Sequence, residues 1–205
     1  MMEIYNLFPG SFASNCYLLF CGNEAAVVDP SANADTILQK IAEHGVTLRY
    51  ILLTHGHFDH ICSLDTLREK TGVPAYIHAK DADMPSDSQK NAFSLFFGQE
   101  RSWRTPEKTL FEGDILKLGT EEIRVLHTPG HTEGSVCFLC GENILITGDT
   151  LFDRGFGRYD LWGGDPIKLR HSLARLASLD HSLNIYAGHG CSTDLGDAVD
   201  NCAFL

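Results

Sequence analysis

The stretch Thr54-His55-Gly56-His57-Phe58-Asp59-His60 places three imidazoles and a carboxylate within six residues. That is more metal-binding power than a fold needs at one place. His and Asp are the nitrogen and oxygen donors that zinc and iron take, and the lack of Cys in the run argues against a closed thiolate site. Such a site more often keeps a position open for water. The run begins where the apolar segment Tyr50 to Leu53 stops. The stretch after it, about Asp59 to Lys70, carries Ile61, Leu64 and Leu67 at helical spacing. The pattern predicts donors on a strand-to-helix loop, held by a rigid element at each end.

At 205 residues the chain fits one domain that can bury a core without disulfides. Its apolar fraction of 43% and charged fraction of 21% are those of a globular protein. No run approaches the roughly 20 apolar residues of a membrane span, so no membrane role is expected. The N-terminus, Met1-Met2-Glu3-Ile4-Tyr5-Asn6, lacks a basic start followed by an apolar core, and a cytoplasmic protein is expected. Seven cysteines follow no regular framework and read as reduced thiols. Cys137 and Cys140 form a C-x-x-C inside an apolar run, where a strand would point them to opposite faces, so packing is expected rather than redox or zinc chemistry. The net charge of -11, with no Lys/Arg stripe to offset it, disfavours nucleic acid, and a small-molecule partner is expected. The oligomeric state is open, a dimer among the options.

Strands are expected around Ile4 to Phe8, Cys16 to Phe20 and Ala25 to Val28, followed by a helix from about Ala34 to His44. Asn33 is its N-cap, Ile37, Leu38 and Ile41 its buried stripe, and Gly45 follows its end. Ala75 to His78 reads as a short strand. Residues 81–108 break the rhythm: polar at both ends, with Phe93, Phe96, Phe97 and Trp103 within, they read as an inserted, partly helical flap. Strands resume at Ile115 to Leu118, Ile123 to His127, Val136 to Leu139 and Ile144 to Thr147. Asp165 and Pro166 open a helix with Leu169, Leu173 and Leu176 on one face, and Asn184 to Ala187 is the next strand. Two runs of strands, each with helices, suggest two similar halves facing each other.

Three further donors lie where strands end: His131 in His127-Thr128-Pro129-Gly130-His131-Thr132, Asp149 in Thr147-Gly148-Asp149-Thr150, and His189 in Gly188-His189-Gly190. Each has glycine beside it, which suits ligands converging on a crowded centre. The four motifs T-H-x-H-x-D-H, H-T-P-G-H-T, T-G-D-T and G-H-G, in this order across almost the whole chain, resemble the metallo-β-lactamase superfamily. Within it, Val28-Asp29-Pro30, Gly157-Arg158-Tyr159-Asp160 and Asn201-Cys202-Ala203-Phe204-Leu205 are similar to the short glyoxalase II-like, or hydroxyacylglutathione hydrolase-like, branch.

The resemblance implies an α/β fold, a four-layer αββα sandwich, built as a single domain over residues 1–205. It implies two zinc ions, with iron or manganese as alternatives. His55, His57 and His131 would hold one ion, Asp59, His60 and His189 the other, and Asp149 would bridge them. Asp29 would orient a ligand histidine or cap a turn. Arg158 and Asp160 would form a buried pair propping the loop after Asp149, or Arg158 would meet an anionic substrate. The implied activity is hydrolysis of S-acylglutathione-type or other small thioesters by a metal-bound hydroxide, since two zincs lower the pKa of water from about 15.7 toward 7. Asp59 is the expected catalytic residue, orienting the hydroxide. The alternatives are a mononuclear iron persulfide dioxygenase, another ester or lactone hydrolase of this fold, and a noncatalytic metal-binding module. Full-length glyoxalase II enzymes recognise glutathione largely through a C-terminal helical domain, whereas this sequence ends soon after His189, so the aromatic flap is the expected pocket wall.

Overall fold

The computed structural model describes residues 1–7 and 13–204. Among them, β1 (Glu3–Leu7), β2 (Cys16–Cys21), β3 (Glu24–Val28), β4 (Thr47–Leu52), β5 (Ala75–His78) and β6 (Lys108–Leu110) form one sheet in sequence order. The second sheet runs in reverse order from β12 (Thr193–Asp194) through β11 (Asn184–Ala187), β10 (Ile144–Gly148), β9 (Val136–Cys140) and β8 (Glu121–His127) to β7 (Ile115–Leu118). Each sheet starts as an antiparallel meander. Each then gains a parallel strand through a helix: α1 (Ala34–Glu43) joins β3 to β4, and α4 (Pro166–Ala177) joins β10 to β11. The expected likeness of two halves is therefore one of topology. Phe8, expected to end β1, and Leu205 lie outside the described residues.

Strand alternation explains how one chain fills three apolar layers. In β2, Tyr17, Leu19 and Cys21 face the opposite sheet, whereas Cys16, Leu18 and Phe20 face α1 and α2 (Leu64–Thr71). In β9, Val136, Phe138 and Cys140 lie between the sheets, and Cys137 packs against Leu169, Leu173 and Leu176 of α4 and Leu195 and Ala198 of α5 (Leu195–Asp200). Helices thus cover both outer faces, giving the four-layer αββα sandwich. An odd separation places Cys137 and Cys140 on opposite faces, as expected of a period-two strand. All seven cysteines are free. No helix among the described residues is long and apolar enough to cross a membrane.

Helix signals act where the sequence places them: the Asn33 side chain accepts from Asp35 N, and Asp165 accepts from the backbone N–H groups of Ile167 and Lys168. One boundary is corrected. The helix expected from Asp59 starts only at Leu64. Before it the chain makes successive turns, with Ile61 N donating to Phe58 O and Leu64 N to Ile61 O. These three-residue turns keep Asp59 and His60 on the same side, which consecutive residues of an α-helix, about 100° apart, could not share. Residues 81–107 form the 3₁₀ turn at Met84–Ser86 and a five-residue helix α3 (Phe93–Phe97), after a first such turn at Ala79–Asp81. The pattern gave no warning of β12 and α5.

Parallel pairing fixes where the loops emerge. Val28 of β3 pairs with Leu52 of β4, so Asp29 and Thr54 leave the first sheet at the same edge. Gly148 pairs with Ala187, so Asp149 and His189 leave the second sheet together. The His131 loop is pressed against α4 at Gly130, which has φ +136°, and a Cβ there would overlap the Leu169 backbone. Gly130→Ala is expected to destabilise the protein by about 2–3 kcal/mol or more, through overpacking and a disallowed backbone. A lower urea midpoint with unchanged slope is the readout, and a loss below about 0.5 kcal/mol would show that this contact does not fix the loop.

Candidate metal centre

The seven donors expected from sequence meet at these strand ends. His55, His57 and His131 form one group with ligand atoms within 4.8 Å of one another, and Asp59, His60 and His189 form a second. His131 Nε2 lies 3.2 Å from His55 Nε2 and 2.9 Å from His57 Nδ1. Asp149 stands between the groups: its Oδ2 is 3.6 Å from His131 Nε2 and 3.6 Å from His189 Nε2, and its Oδ1 is 3.3 Å from His60 Nε2. Asp59 Oδ2 lies 3.2 Å from His189 Nε2.

The ring nitrogens of His55, His60 and His131 that turn away from the centre are held. His60 Nδ1 donates to Asp29 Oδ2 at 2.8 Å, and His131 Nδ1 donates to the Arg158 carbonyl at 2.7 Å. Thr54 Oγ1 donates to Asp29 Oδ2 at 2.7 Å and so accepts from His55 Nδ1 at 3.1 Å. Each bond fixes a tautomer that leaves Nε2 bare and aimed inward. Asp29 thus orients His60 directly and His55 through Thr54, and it also accepts from Thr54 N at 2.8 Å. Of the two roles expected for it, orientation is the one observed: its carboxylate reaches Thr54, 25 residues on, and His60, and caps no local turn among the described residues.

The donor set fits metal ions. At the centre, His60 Nε2 and Asp149 Oδ1 are buried without a hydrogen-bond partner. Ligand atoms around a tetrahedral zinc, with bonds of about 2.0–2.1 Å, sit about 3.3 Å apart, close to the separations here. Burial, aided by neighbouring imidazoles, lowers His55 well below its ordinary value and His57 to about 3, so these rings are neutral and each keeps one nitrogen lone pair for a metal. Burial also lowers His131, against the pull of Asp149. The second group behaves oppositely. Burial disfavours charge on His60, but Asp149, Asp29 and Asp59 outweigh it and raise that imidazole well above its usual range. Burial likewise opposes ionisation of Asp149, yet His60, His131 and His189 hold it well below the usual carboxylate range. A cation is what this cluster of buried carboxylates calls for.

Sequence reasoning missed the residues that clamp the His189 loop. Asn15 N donates to Gly188 O at 2.7 Å, and Asn15 Nδ2 donates to Ala187 O at 2.9 Å and Gly190 O at 3.1 Å, bracketing His189. Tyr17 Oη donates to Ala187 O at 2.6 Å, and Ser14 N donates to Asp59 O at 3.2 Å. Gly188 itself must lack a side chain, because a Cβ would strike Asp149 Oδ1 and His60. Asp81 was also missed. It accepts from Thr132 Oγ1 at 2.6 Å and Gly134 N at 2.7 Å, tying the His131 loop to the end of β5, and burial pushes its carboxyl up to about 7.

A pocket of about 400 Å³ opens above the donors, its floor formed by His57, Asp59, His131, Asp149 and His189. Phe58, Ala92, Phe96, Phe152 and Leu161 supply the walls. Phe96 is the flap ring that reaches it, whereas Trp103 is buried in the core beneath α2. The expected buried pair of Arg158 and Asp160 is corrected: it is a surface pair, Nε to Oδ1 at 2.7 Å with side chains 48% and 62% exposed, because the loop after Asp149 runs along the pocket rim. Arg158 props the centre through its backbone carbonyl instead.

Residues 9–189 match the family described as "Metallo-beta-lactamase superfamily". The chain belongs to that superfamily, a family of metal-dependent hydrolases whose fold holds divalent ions at His and Asp groups such as these. It is 37% identical to the "Probable metallo-hydrolase YqgX" of Bacillus subtilis (strain 168), over 96% of this chain and 94% of the relative. It is 33% identical to the "Hydroxyacylglutathione hydrolase GloC" of Haemophilus influenzae, over 95% and 94% of the two chains. The structure of BLEG-1 B3 metallo-beta-lactamase superposes with a TM-score of 0.88 at 32% identity, covering 97% of each chain.

Asn15→Ala is expected to weaken binding of an ion at His189 by tenfold or more while the His55, His57 and His131 group keeps its ion. Chelator competition with metal counting reads this, alongside circular dichroism for folding. Equal loss of both ions, or of neither, would show that Asn15 does not act through His189.

Proposed function

We propose that the protein hydrolyses small thioesters, those of S-acylglutathione type among them, at a dinuclear metal centre. The observation that carries this reading is the Asp149 carboxylate, equidistant at 3.6 Å from one histidine of each donor group at the floor of an open pocket. The names of the YqgX and GloC relatives support it. Divalent ions, zinc by the preferred reading, held by His55, His57 and His131 and by Asp59, His60 and His189 with Asp149 between them, would supply Lewis acidity for water and for the substrate carbonyl.

The protein's own groups do the positioning. Asp59 lies in the pocket wall; burial raises its pKa, but His60 and His189 outweigh that and keep it below the usual carboxylate value. As an anion beside the reacting carbon it accepts a hydrogen bond from the attacking water and fixes its direction. The water oxygen bonds to the acyl carbon, the C–S bond breaks, and sulfur leaves with the electron pair and takes a proton, giving a carboxylic acid and a thiol. Cys62, the thiol beside this loop, is turned away from nucleophilic use: its Sγ donates to the carbonyls of Phe58 and Asp59, and burial raises its pKa. The partner is a small molecule; the net charge of -11 disfavours nucleic acid.

Zinc-loaded protein is expected to hydrolyse S-lactoylglutathione or a simpler thioester, to lose activity on chelation and to regain it with zinc. Asp59→Asn is expected to lower kcat by about 10²-fold or more. Metal counting runs in parallel. A single iron per chain with oxygen uptake on glutathione persulfide, or no metal-dependent turnover of any thioester, overturns the reading.

A further inference from the structure

The aromatic wall of the pocket is built into the metal-site loop itself. Phe58 sits between His57 and Asp59, and its ring meets those of Phe93, Phe96 and Phe97 at centroid distances of 5.6, 5.6 and 5.5 Å. Phe58 N donates to Asn91 O at 3.0 Å, so the flap is pinned to the loop by backbone as well as by rings. The flap is held in an unfavourable conformation to do this. Ala92, a pocket wall residue, is buried with φ +67°, a left-handed backbone that is strained for a residue with a side chain. The buried Asn91 amide sustains it, donating to Pro85 O and Arg101 O while accepting from Phe93 N. The result turns α3 so that Phe96, 50% exposed, stands in the pocket wall beside Phe58. Backbone strain and an exposed ring at one pocket are features of a recognition surface.

Charge points the same way. Arg158 is the one Lys or Arg side chain among the described lining residues, and both Nε and Nη2 already donate to Asp160, at 2.7 and 2.8 Å. Its guanidinium lies 5.7 Å from the Phe96 ring centre, extending the aromatic wall. The pocket offers an apolar group a large contact, and among its described lining residues it offers a carboxylate-bearing thiol no free Lys or Arg.

We infer that the substrate is a thioester with an apolar, ring-sized acyl group, seated on Phe58 and Phe96, and a small uncharged thiol. This rests on the thioester hydrolase reading and narrows it: water adds to an aryl- or branched-alkyl-acyl carbon, the C–S bond breaks, and the products are the apolar acid and the protonated thiol.

The test compares kcat/KM of the metal-loaded chain on N-acetylcysteamine thioesters of acetic, lactic and phenylacetic acids, and on S-lactoylglutathione. Phenylacetyl is expected to exceed acetyl by tenfold or more, and S-lactoylglutathione to show no advantage over S-lactoyl-N-acetylcysteamine. In Phe96→Ala, whose half-exposed side chain folding does not require, the phenylacetyl preference should fall to within about twofold. Turnover with a flat acyl profile, or with a tenfold preference for the glutathione thioester, overturns this inference and leaves the hydrolase reading standing. Equilibrium binding of phenylacetate against acetate covers the remaining case. Tenfold tighter phenylacetate binding without turnover supports the aromatic seat while refuting hydrolysis, and equal binding without turnover refutes both.

Discussion

The fold has to bury Asp29 and the imidazoles of His55, His57, His60 and His131 side by side, with Asp149 and Asp59 against them. Protons cannot satisfy such a cluster. Protonating His60 answers the carboxylates around it but disfavours protons on the three rings beyond, and leaving every ring neutral strands two or three anions out of water. Divalent charge resolves the conflict, because lone pairs of neutral imidazoles and carboxylate oxygens all point toward it. Asp29 shows how firmly the fold commits to this arrangement. It has φ +52°, a conformation that costs of order 1 kcal/mol, yet it accepts three hydrogen bonds from Thr54 and His60. Bonds to a charged acceptor contribute about 1.5–3 kcal/mol each, so the network outweighs the strain. The junction of β3 and β4 is therefore held by the same carboxylate that aims His60.

Strand direction makes the cluster achievable. Donors from the two sheets meet because β3 with β4 and β10 with β11 are parallel pairs, whose carboxyl ends share an edge. The antiparallel meanders do a different job: β2, β8 and β9 fill the space between the sheets with Leu19, Val125 and Phe138. The donors thus sit at the edge of a packed core.

Much of this was legible in the sequence, for a physical reason. Residues that donate to a metal and stand beside glycine at strand ends have few other uses, so His55, His57, Asp59, His60, His131, Asp149 and His189 announced themselves, and the structure brings all seven together. Apolar periodicity placed most strands and both long helices. What escaped depends on partners distant in sequence. The turns from Phe58 to Ser63 displace a helix that Ile61, Leu64 and Leu67 suggested, because His60 must reach Asp29, which is 31 residues earlier. Asn15 and Tyr17 clamp carbonyls 170 to 175 residues away, and such contacts leave no periodic trace. Arg158 was read by its side chain, whereas the centre uses its carbonyl.

That last distinction bears on how substrate choice and chemistry are separated. Donors come from strand ends, whereas most pocket walls come from connecting segments: Ala92 and Phe96 between β5 and β6, Phe152 and Leu161 between β10 and α4. Walls on connections can change without moving donors, provided the connection's backbone keeps its place. His131 depends on the Arg158 carbonyl, so the side chain at 158 is free to vary. Asn91 likewise fixes the flap through its own amide, leaving the Phe96 side chain unconstrained by folding. Phe58 is the exception. It lies between two donors, packs on the core and forms part of the wall, so its size affects recognition and the placement of His57 and Asp59 together. Position 58 is where a change of substrate cannot be made without touching the centre.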